Sequence, residues 1–385
     1  MVLTSRKEYL EAIRKRYHAA TKVQKGIILD EFCATCGYHR KHAIRLLRSK
    51  PARSQKRRPG AKAVYRDELL LLALKRIWLA TDQMCGKKLK GALPLWLPWY
   101  DTEFEPLAPD LLQKLLAASP ATMDRLLKPL KCQHPKARGA TKPGTLLKNQ
   151  IPVKTHNWDV TQPGYFEADT VAHCGNSLAG DFVYSLTFSD IYSGWTENRA
   201  TWGRGSHGVK NQVEDIEHGL VFPIRGFDCD NGSEFLNHHL VRYFTERPQN
   251  PVAFTRSRPY HKNDNAHVEQ KNWTTVRQFL GYDRFDRPEL VPLLNDLFKN
   301  EWCQMTNFFY PTLKLKEKRR VNSRYVKTYE PPQTPYQRLL TAPDITANAK
   351  EKLRLLYNSL NPFILRKSIQ SKLKVIFATL YAPRL

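Results

Sequence analysis

Residues 227–235 read FDCDNGSEF, and this stretch decides how the middle of the chain folds. The residues before Asp230 are strand-like, and the following Asn-Gly pair predicts a tight turn into a helix. A second acid, Asp169, lies inside the apolar strand-like run FEADTV at 166–171. We predict strands at 164–173, 182–191, 195–202, 224–229 and 252–256, and helices at 207–220, 233–247 and 264–282. Three strands in a meander followed by alternating helices and strands predict an α/β domain with a mixed sheet.

A third acid, Glu269, lies in the first turns of the last of these helices, in the run NDNAHVEQKNW at 263–273. A carboxylate in a strand is rigidly placed, and one at a strand's carboxyl end lies where open sheets bind ligands. A helix packed across the sheet could bring the third acid to them. Such a cluster suits two Mg²⁺ or Mn²⁺ ions, which take hard oxygen ligands and promote attack on a phosphodiester.

These three blocks resemble the catalytic core of integrase-like (DDE-type) transposases of bacterial insertion sequences, in the retroviral integrase superfamily. The matching features are Asp169-Thr170, the DNGSEF block at 230–235, and a Pro- and Asn-containing loop before Val268-Glu269. The interval from Asp230 to Glu269 is 39 positions, slightly longer than the family's usual interval. The resemblance covers about residues 150–340, including Thr334-Pro335-Tyr336.

The resemblance implies a ribonuclease-H-like core in which Asp169, Asp230 and Glu269 bind two divalent metal ions. It implies that water cuts the end of a mobile element to free a 3′-hydroxyl, which then attacks target DNA. The implied partners are double-stranded DNA, as terminal repeats and as target, and further copies of the chain, because two DNA ends must be joined.

Other carboxylates have alternative interpretations. We interpret Glu167 and Asp228 as pointing to the opposite face of the sheet from Asp169 and Asp230. Asp190 ends a strand and is expected to stabilise a turn. Asp264 competes with Glu269 for the third ligand position, although its place at a helix start favours a capping role.

On the helix of Glu269, Lys271 and Arg277 are candidate DNA contacts, with solvated side chains as the alternative. Trp273 lies one turn after Glu269, where it could stack on a base or pack in the core.

The first 50 residues read as helical and end in a candidate helix-turn-helix. Gly37 suits the tight turn, and the second helix would present Arg40, Lys41 and Arg45 to DNA. A plain helical hairpin is the alternative. A second candidate unit spans 110–127, with Ser119 as the cap and Pro120 at the first helical position.

Zinc is a less favoured possibility near Cys33 and Cys36, which lie close to His39 and His42. These four residues have the ligand types of zinc, but they span only ten positions, too few to wrap a tetrahedral site. The order of the pairs is also the reverse of that in retroviral integrases.

The overall charge favours a nucleic-acid partner. The chain has 385 residues, 62 Lys and Arg against 36 Asp and Glu, and a formal net charge of +26. Binding along a polyphosphate explains such an excess, because each neutralised phosphate releases counterions. The longest apolar run, 69–74, is too short to span a bilayer. Seven scattered cysteines and no signal peptide predict a cytoplasmic protein. The family resemblance implies that it is bacterial and nucleoid-associated when on DNA.

These observations predict six segments. They are a helix-turn-helix region at 1–50, a basic linker at 51–63, a second helical DNA-binding region at 64–130, a basic linker at 131–160, the catalytic core at 161–285, and a basic carboxyl-terminal region at 286–385. Within the last segment, 314–327 holds seven basic residues and one acid, and 347–385 reads as helical.

Two other functions fit part of the sequence. One is a DNA-binding regulator or domesticated transposase remnant without transfer activity, although the presence of all three acids argues against a dead core. The other is a structure-specific or hybrid nuclease of the ribonuclease H type. The large basic regions at both ends argue against it, because a free-standing nuclease of this type needs neither.

Overall fold

The computed structural model describes residues 3–49, 64–133, 160–229, 234–235, 237–247, 250–256 and 266–383. The basic linker predicted at 51–63 and nearly all of the one predicted at 131–160 lie outside these ranges. The chain divides into a first unit, Met1–Val64, and a second unit, Tyr65–Leu385. Each unit has its own cluster of buried apolar side chains. None of the helices in the described ranges has both the length and the apolar character needed to cross a membrane.

The first unit is helical. It contains α1 (Leu3–Ala19), α2 (Lys22–Cys36) and α3 (Arg40–Arg48). Helix α2 ends at Gly37, whose φ of 69° is left-handed and therefore suits a residue without a side chain. The apolar positions of all three helices meet in one small core, formed by Ile13, Tyr17, Ile28, Leu29, Phe32, Cys36, Ala43 and Leu47.

The second unit begins with four helices: α4 (Glu68–Ala80), α5 (Gly86–Trp96), α6 (Pro109–Ala117) and α7 (Pro120–Gln133). Asp67 caps α4 by accepting from the amide of Leu69 at 2.9 Å. Ser119 Oγ accepts from the amide of Thr122 at 3.1 Å, so the predicted cap is confirmed, with Pro120 at the first helical position. Trp96, fully buried, donates to the carbonyl of Phe309 and so joins these helices to the rest of the second unit.

A five-stranded mixed sheet forms the centre of the second unit. Its strands are β1 (Tyr165–Ala172), β2 (Val183–Asp190), β3 (Thr196–Trp202), β4 (Gly226–Cys229) and β5 (Ala253–Arg256), in the order β3-β2-β1-β4-β5. The first three strands pair antiparallel, whereas β4 and β5 run parallel to β1. Helices α8 (Ser206–Gly219) and α9 (His238–Thr245) connect the later strands. The mixed sheet predicted from the sequence is therefore confirmed.

The sheet is held by aromatic packing between neighbouring strands. Phe166 of β1, Phe188 of β2 and Phe227 of β4 are fully buried, and Phe188 contacts both of the others. Every residue of β2 is buried. From Tyr184 to Ser189 its residues alternate between apolar and small polar side chains, and the buried hydroxyls of Ser185 and Thr187 are hydrogen-bonded to His173 and Asn198.

Two long helices follow the sheet. Helix α10 spans 266–280 and includes a stretch of wider, π-helical turns at Asn272–Arg277. Helix α11 spans 290–309 and lies along the outer edge of β3. Asn295 of α11 both accepts from the amide and donates to the carbonyl of Ala200, and Asn307 does the same for Thr196. These side chains satisfy backbone groups that an edge strand would otherwise expose.

The end of the second unit combines a hairpin with three helices. The hairpin consists of β6 (Leu315–Val321) and β7 (Arg324–Tyr329). The helices are α12 (Pro335–Thr341), α13 (Ala347–Ser359) and α14 (Pro362–Tyr381). The helical character expected near the carboxyl end is confirmed over 347–381, whereas the hairpin was not expected from the sequence.

Candidate active site

Asp169 lies in the middle of β1, half-buried, and its carboxylate is held from two sides. Oδ1 accepts from the amide of Thr170 at 2.7 Å, and Oδ2 accepts from Nδ2 of Asn272 at 2.6 Å. Asn272 belongs to the wide turns of α10. The side chain of Asp169 therefore faces the helix that contains Glu269.

Three hydrogen bonds hold α10 against β1, and the helix runs in the same direction as the strand. The amide of Val268 donates to Oε2 of Glu167 at 3.0 Å, and Asn272 donates to Asp169. Nη2 of Arg277 then donates to the carbonyl of Ala172 at 2.7 Å. Nine steps along the helix span about 13.5 Å, and five steps along the strand span about 16.5 Å. The helix therefore runs over the strand from Glu167 to Ala172.

The orientation that we expected for Glu167 and Asp228 is wrong. Side chains two positions apart on a strand point to the same face, so Glu167 shares a face with Asp169. Glu167 and Asp169 both accept hydrogen bonds from α10, which confirms that they share this face. Glu167 and Asp228 are register partners on β1 and β4, and each is only 3% exposed. Asp228 accepts from the hydroxyl of Thr255 at 2.6 Å.

The other two acids of the predicted triad are only partly covered by the structure. Strand β4 ends at Cys229, which pairs with Ala168, and Asp230 lies outside the described residues. The backbone of Glu269 lies in α10, whereas its side chain is not described. Asp264, the rival to Glu269, is also outside. Among the described residues, no three His, Cys, Asp or Glu side chains form a group that could hold a metal ion. The triad stays a prediction.

Glu234 is a buried carboxylate to which the sequence analysis gave no role. It is 3% exposed, and Oε1 accepts from the hydroxyl of Thr170 at 2.9 Å. Oε2 is buried and has no hydrogen-bond partner among the residues that the structure describes. The feature of the sequence that could have identified Glu234 is its position in the DNGSEF block, four residues after Asp230. Through Thr170, Glu234 ties the segment after β4 to the residue that follows Asp169.

Asp190 has the structural role that we expected. Its carboxylate is fully buried at the end of β2. Oδ1 accepts from the amide of Gly164 at 2.8 Å, and Oδ2 accepts from the amide and hydroxyl of Ser193. It therefore fixes the turn after β2, and that prediction is confirmed.

Lys271 and Arg277 are both engaged with backbone carbonyls. Nζ of Lys271 donates to the carbonyl of Gly194 at 2.9 Å. Burial, reinforced by the positive charges of Lys88 and Arg338, lowers the pKa of Lys271 to about 7. Burial also lowers the pKa of Arg277, whose guanidinium lies 4.9 Å from the ring centre of Tyr282. Their roles as DNA contacts stay predictions.

Trp273 is 37% exposed and so is only partly packed. The structure leaves both of its interpretations, base stacking and packing, as predictions.

The first unit presents its predicted DNA contacts to solvent. Arg40, Lys41 and Arg45 are exposed on α3, and Arg40 pairs with Asp30 of α2. All three stay predictions as contacts.

The four candidate zinc ligands of the first unit have other contacts. Cys36 is 1% exposed in the core, and Cys33 is partly buried against it. His39 Nδ1 accepts from the amide of Lys41, and His42 packs edge-on against Tyr38.

Comparison with known proteins gives one close relative. The chain is 39% identical over 342 residues to the uncharacterized protein y4rM of Sinorhizobium fredii (strain NBRC 101917 / NGR234), and the match covers 87% of this chain and 95% of the relative. The chain therefore belongs to the same family as y4rM. No protein-family model matches the chain.

Among solved structures, the catalytic core domain of BIV integrase aligns with 45% of this chain and 91% of its own length. The sequence identity is 13% and the TM-score is 0.27. A TM-score this low does not establish a common fold.

Proposed function

We propose that the chain is a DNA transposase of the integrase type, which cuts the 3′ ends of a mobile element and joins them to target DNA. The observation that carries the proposal is the placement of α10. This helix contains Glu269. Three hydrogen bonds hold it against β1, on the face of the sheet to which Asp169 points. Because β4 pairs Cys229 with Ala168, continuation of the same register would bring Asp230 beside Asp169.

The proposed fold of the core is ribonuclease-H-like. An antiparallel meander of β1, β2 and β3, joined by β4 and β5 parallel to β1, is the mixed sheet expected for that fold. The acids would then come from a central strand, from the end of its parallel neighbour, and from a helix packed across β1 and β2. That is the carboxyl-end crevice where open sheets bind ligands.

The side chains present suit hard divalent cations. Asp169 offers carboxylate oxygens, and the neighbouring Oδ1 of Asn272 is buried with no hydrogen-bond partner in the described part of the chain. We propose Asp169, Asp230 and Glu269 as the ligands. When bound, two Mg²⁺ or Mn²⁺ ions would activate the attacking oxygen and stabilise the leaving oxygen at phosphorus. Asn272 would orient the carboxylate of Asp169, and Glu167 would hold the first turn of α10.

DNA binding would begin in the first unit. We propose α2 and α3 as a helix-turn-helix, with α3 presenting Lys41 and Arg45 to the duplex. The support is their exposure on one short helix and the net charge of +26. Pairing two DNA ends would require at least two copies of the chain.

The test compares the wild-type chain with Asp169→Asn on a DNA duplex that ends in the element's terminal repeat, with Mg²⁺ or Mn²⁺. We expect metal-dependent cutting and joining by the wild type and neither by the variant, because an amide is a weaker cation ligand. DNA binding, measured in EDTA, should be equal for both. Asp101→Asn, which changes an exposed carboxylate far along the chain, is the matched control and should retain activity.

The outcomes separate the alternatives. A wild type that binds the duplex and never cuts it would favour the regulator or remnant. Cutting of RNA–DNA hybrids without any joining would favour the nuclease. If the Asp169→Asn variant still cuts and joins DNA, Asp169 is not a catalytic residue.

A further inference from the structure

The hairpin of β6 and β7, here called the basic ribbon (residues 315–329), is almost entirely exposed to solvent. Every residue in its two strands is exposed except Lys318, which is half-buried. It holds six basic residues and one acid. The strands pair up to Val321 and Arg324, so Asn322 and Ser323 form a two-residue turn. Asn322 has a φ of 54°, which such a turn requires and asparagine tolerates.

The register divides the basic ribbon into two unlike faces. Cross-strand partners share a face, and the partners Lys318–Lys327 and Arg320–Tyr325 form one face, here called the lysine face. The other face, here called the valine face, is formed by the partners Glu317–Thr328, Arg319–Val326 and Val321–Arg324. The lysine face therefore carries three positive charges and no negative one, whereas the valine face carries two positive charges and one negative.

The like charges of the lysine face destabilise the hairpin when the protein is alone in solution. Like charges directly opposite each other on paired strands are destabilising, and Lys318 faces Lys327 with no acid on that face. A two-stranded hairpin on its own is at best marginally stable in water. The contact of Lys318 Nζ with the Tyr325 ring, 4.5 Å from its centre, offsets only part of this repulsion. Blocking edge-to-edge aggregation does not require such a face, because mixed charges do this as well.

The base of the basic ribbon is tied firmly to the core. Nζ of Lys314 donates to the carbonyl of Tyr192 at 3.0 Å. Nη1 of Arg338 donates to the carbonyl of Ser193 at 3.1 Å and also to the hydroxyl of Thr312. Lys271 of α10 donates to the next carbonyl in the same turn. The turn after β2 therefore connects the base of the ribbon to the helix that contains Glu269.

We propose that the basic ribbon is a DNA-binding element that lies in the major groove of a duplex through its lysine face. The major groove, about 12 Å wide, admits a two-stranded ribbon. Phosphates along its edges would neutralise Lys318, Arg320 and Lys327 and relieve their mutual repulsion. The inference rests on the proposed function only in taking duplex DNA as the partner.

The test measures binding of the full-length chain to a fluorescein-labelled 40-bp duplex of arbitrary sequence, in EDTA and over a range of salt. The variant Lys318→Gln with Lys327→Gln removes two charges from the lysine face. The matched variant Arg319→Gln with Arg324→Gln removes two charges from the valine face. We expect about tenfold or more weakening from the first, with a salt slope smaller by about 2. The second should weaken binding by less than about threefold.

Equal losses in both double variants would overturn the proposal, as would no loss in the first. Thermal unfolding of each variant shows whether the fold is kept. A second measurement uses the wild type alone: lysine acetylation, read by mass spectrometry, should be suppressed by the duplex at Lys318 and Lys327. Lys352, exposed on α13, serves as the internal reference. Unchanged acetylation at Lys318 and Lys327 would also overturn the proposal.

The two proposals can fail separately. Because binding is measured without metal, the ribbon can be supported in a chain that never cuts DNA. Conversely, the wild type could cut DNA while the lysine-face variant binds DNA as tightly as the wild type. That result would support the proposed function and overturn the proposed role of the basic ribbon. Displacement of the duplex by an equal charge of poly-glutamate would indicate an acidic polypeptide as the partner and would overturn the assignment to DNA.

Discussion

Glu167 shows how a residue beside the site can define its geometry. Its carboxylate accepts from the amide of Val268, whose side chain is fully buried next to Glu269 in the chain. The first turn of a helix has amides without partners inside the helix, and a buried one needs an acceptor. Glu167 therefore fixes the start of α10 relative to β1, on the same face as Asp169.

We expect Glu167→Ala to lower the free energy of unfolding by about 1–3 kcal/mol, because it leaves a buried amide without an acceptor. It should also reduce DNA cutting beyond any loss of folded protein, because the start of α10 would shift. Glu167→Gln keeps an oxygen acceptor and should preserve most of both. Chemical denaturation and single-turnover cutting rates check this, and equal behaviour of the two variants would contradict it.

His173, at the end of β1, is a buried titratable group with a structural role. It is fully buried, its Nε2 lies 2.8 Å from the hydroxyl of Ser185, and its ring stacks on Phe285. Burial, with a smaller contribution from the charge of Arg277, lowers the pKa of His173 to about 3. The side chain is therefore neutral in the folded protein near neutral pH.

The low pKa of His173 makes stability depend on pH. Between the ordinary pKa of 6.5 and about 3, the unfolded chain binds a proton that the folded chain does not. The free energy of unfolding should therefore fall as the pH decreases through this window, by up to about 1.4 kcal/mol per pH unit from this residue. We expect His173→Gln to reduce that slope, measured by denaturation at pH 7 and pH 5. Replacement of the exposed His218 by Gln should leave the slope nearly unchanged.

At the scale of elements, α11 closes the sheet at β3. Asn295 and Asn307 hydrogen-bond both backbone groups of Ala200 and Thr196, and Cys303 Sγ accepts from the amide of Asn198. Side chains of one helix thus replace a neighbouring strand. This arrangement removes an edge that could pair with another chain.

We expect Asn307→Ala, at a fully buried position, to lower the free energy of unfolding by about 2–4 kcal/mol, because two backbone groups lose their partners. Asn295→Ala should have a smaller effect in the same direction. Asn300→Ala is the control, since Asn300 is exposed on the same helix and contacts only Asp296 among the described residues. Urea denaturation measures all three, and a loss in Asn300→Ala as large as in Asn307→Ala would refute the edge-closing role.

At the scale of the whole molecule, the chain has two units with separate apolar clusters. Among its described residues, the first unit buries eight apolar side chains, with Phe32 in their cluster. The second buries a far larger set that runs through the front helices, the sheet and the carboxyl-terminal helices. A unit with its own core can fold by itself.

We expect a fragment of residues 65–385 to fold and to unfold cooperatively within a few degrees of the main transition of the full-length chain. It should keep metal-dependent chemistry on pre-cut DNA ends and lose preference for the terminal repeat, because α3 is absent. Calorimetry and competition binding with unrelated duplexes check this. Failure of the fragment to unfold cooperatively would show that the first unit is needed for the core of the second.

Much of the sheet could be predicted from the sequence. The strands around Phe166, Phe188 and Phe227 and the helices between them are found within one to five residues of the predicted bounds. The basic ribbon could not be predicted, because β6 contains five consecutive charged residues at 316–320 and so shows no alternation of apolar and polar residues. Its pairing with β7 is visible only in the structure.

The sequence by itself determined the mixed sheet, the helical front end and the strong positive charge, because these depend on local pattern and residue type. Only the tertiary structure decided which groups meet. It placed Glu167 and Asp169 under one helix, Glu234 against Thr170, and Lys271 on the turn that supports the basic ribbon. These contacts join residues distant in the chain, so they depend on packing and register, which no local run of residues contains.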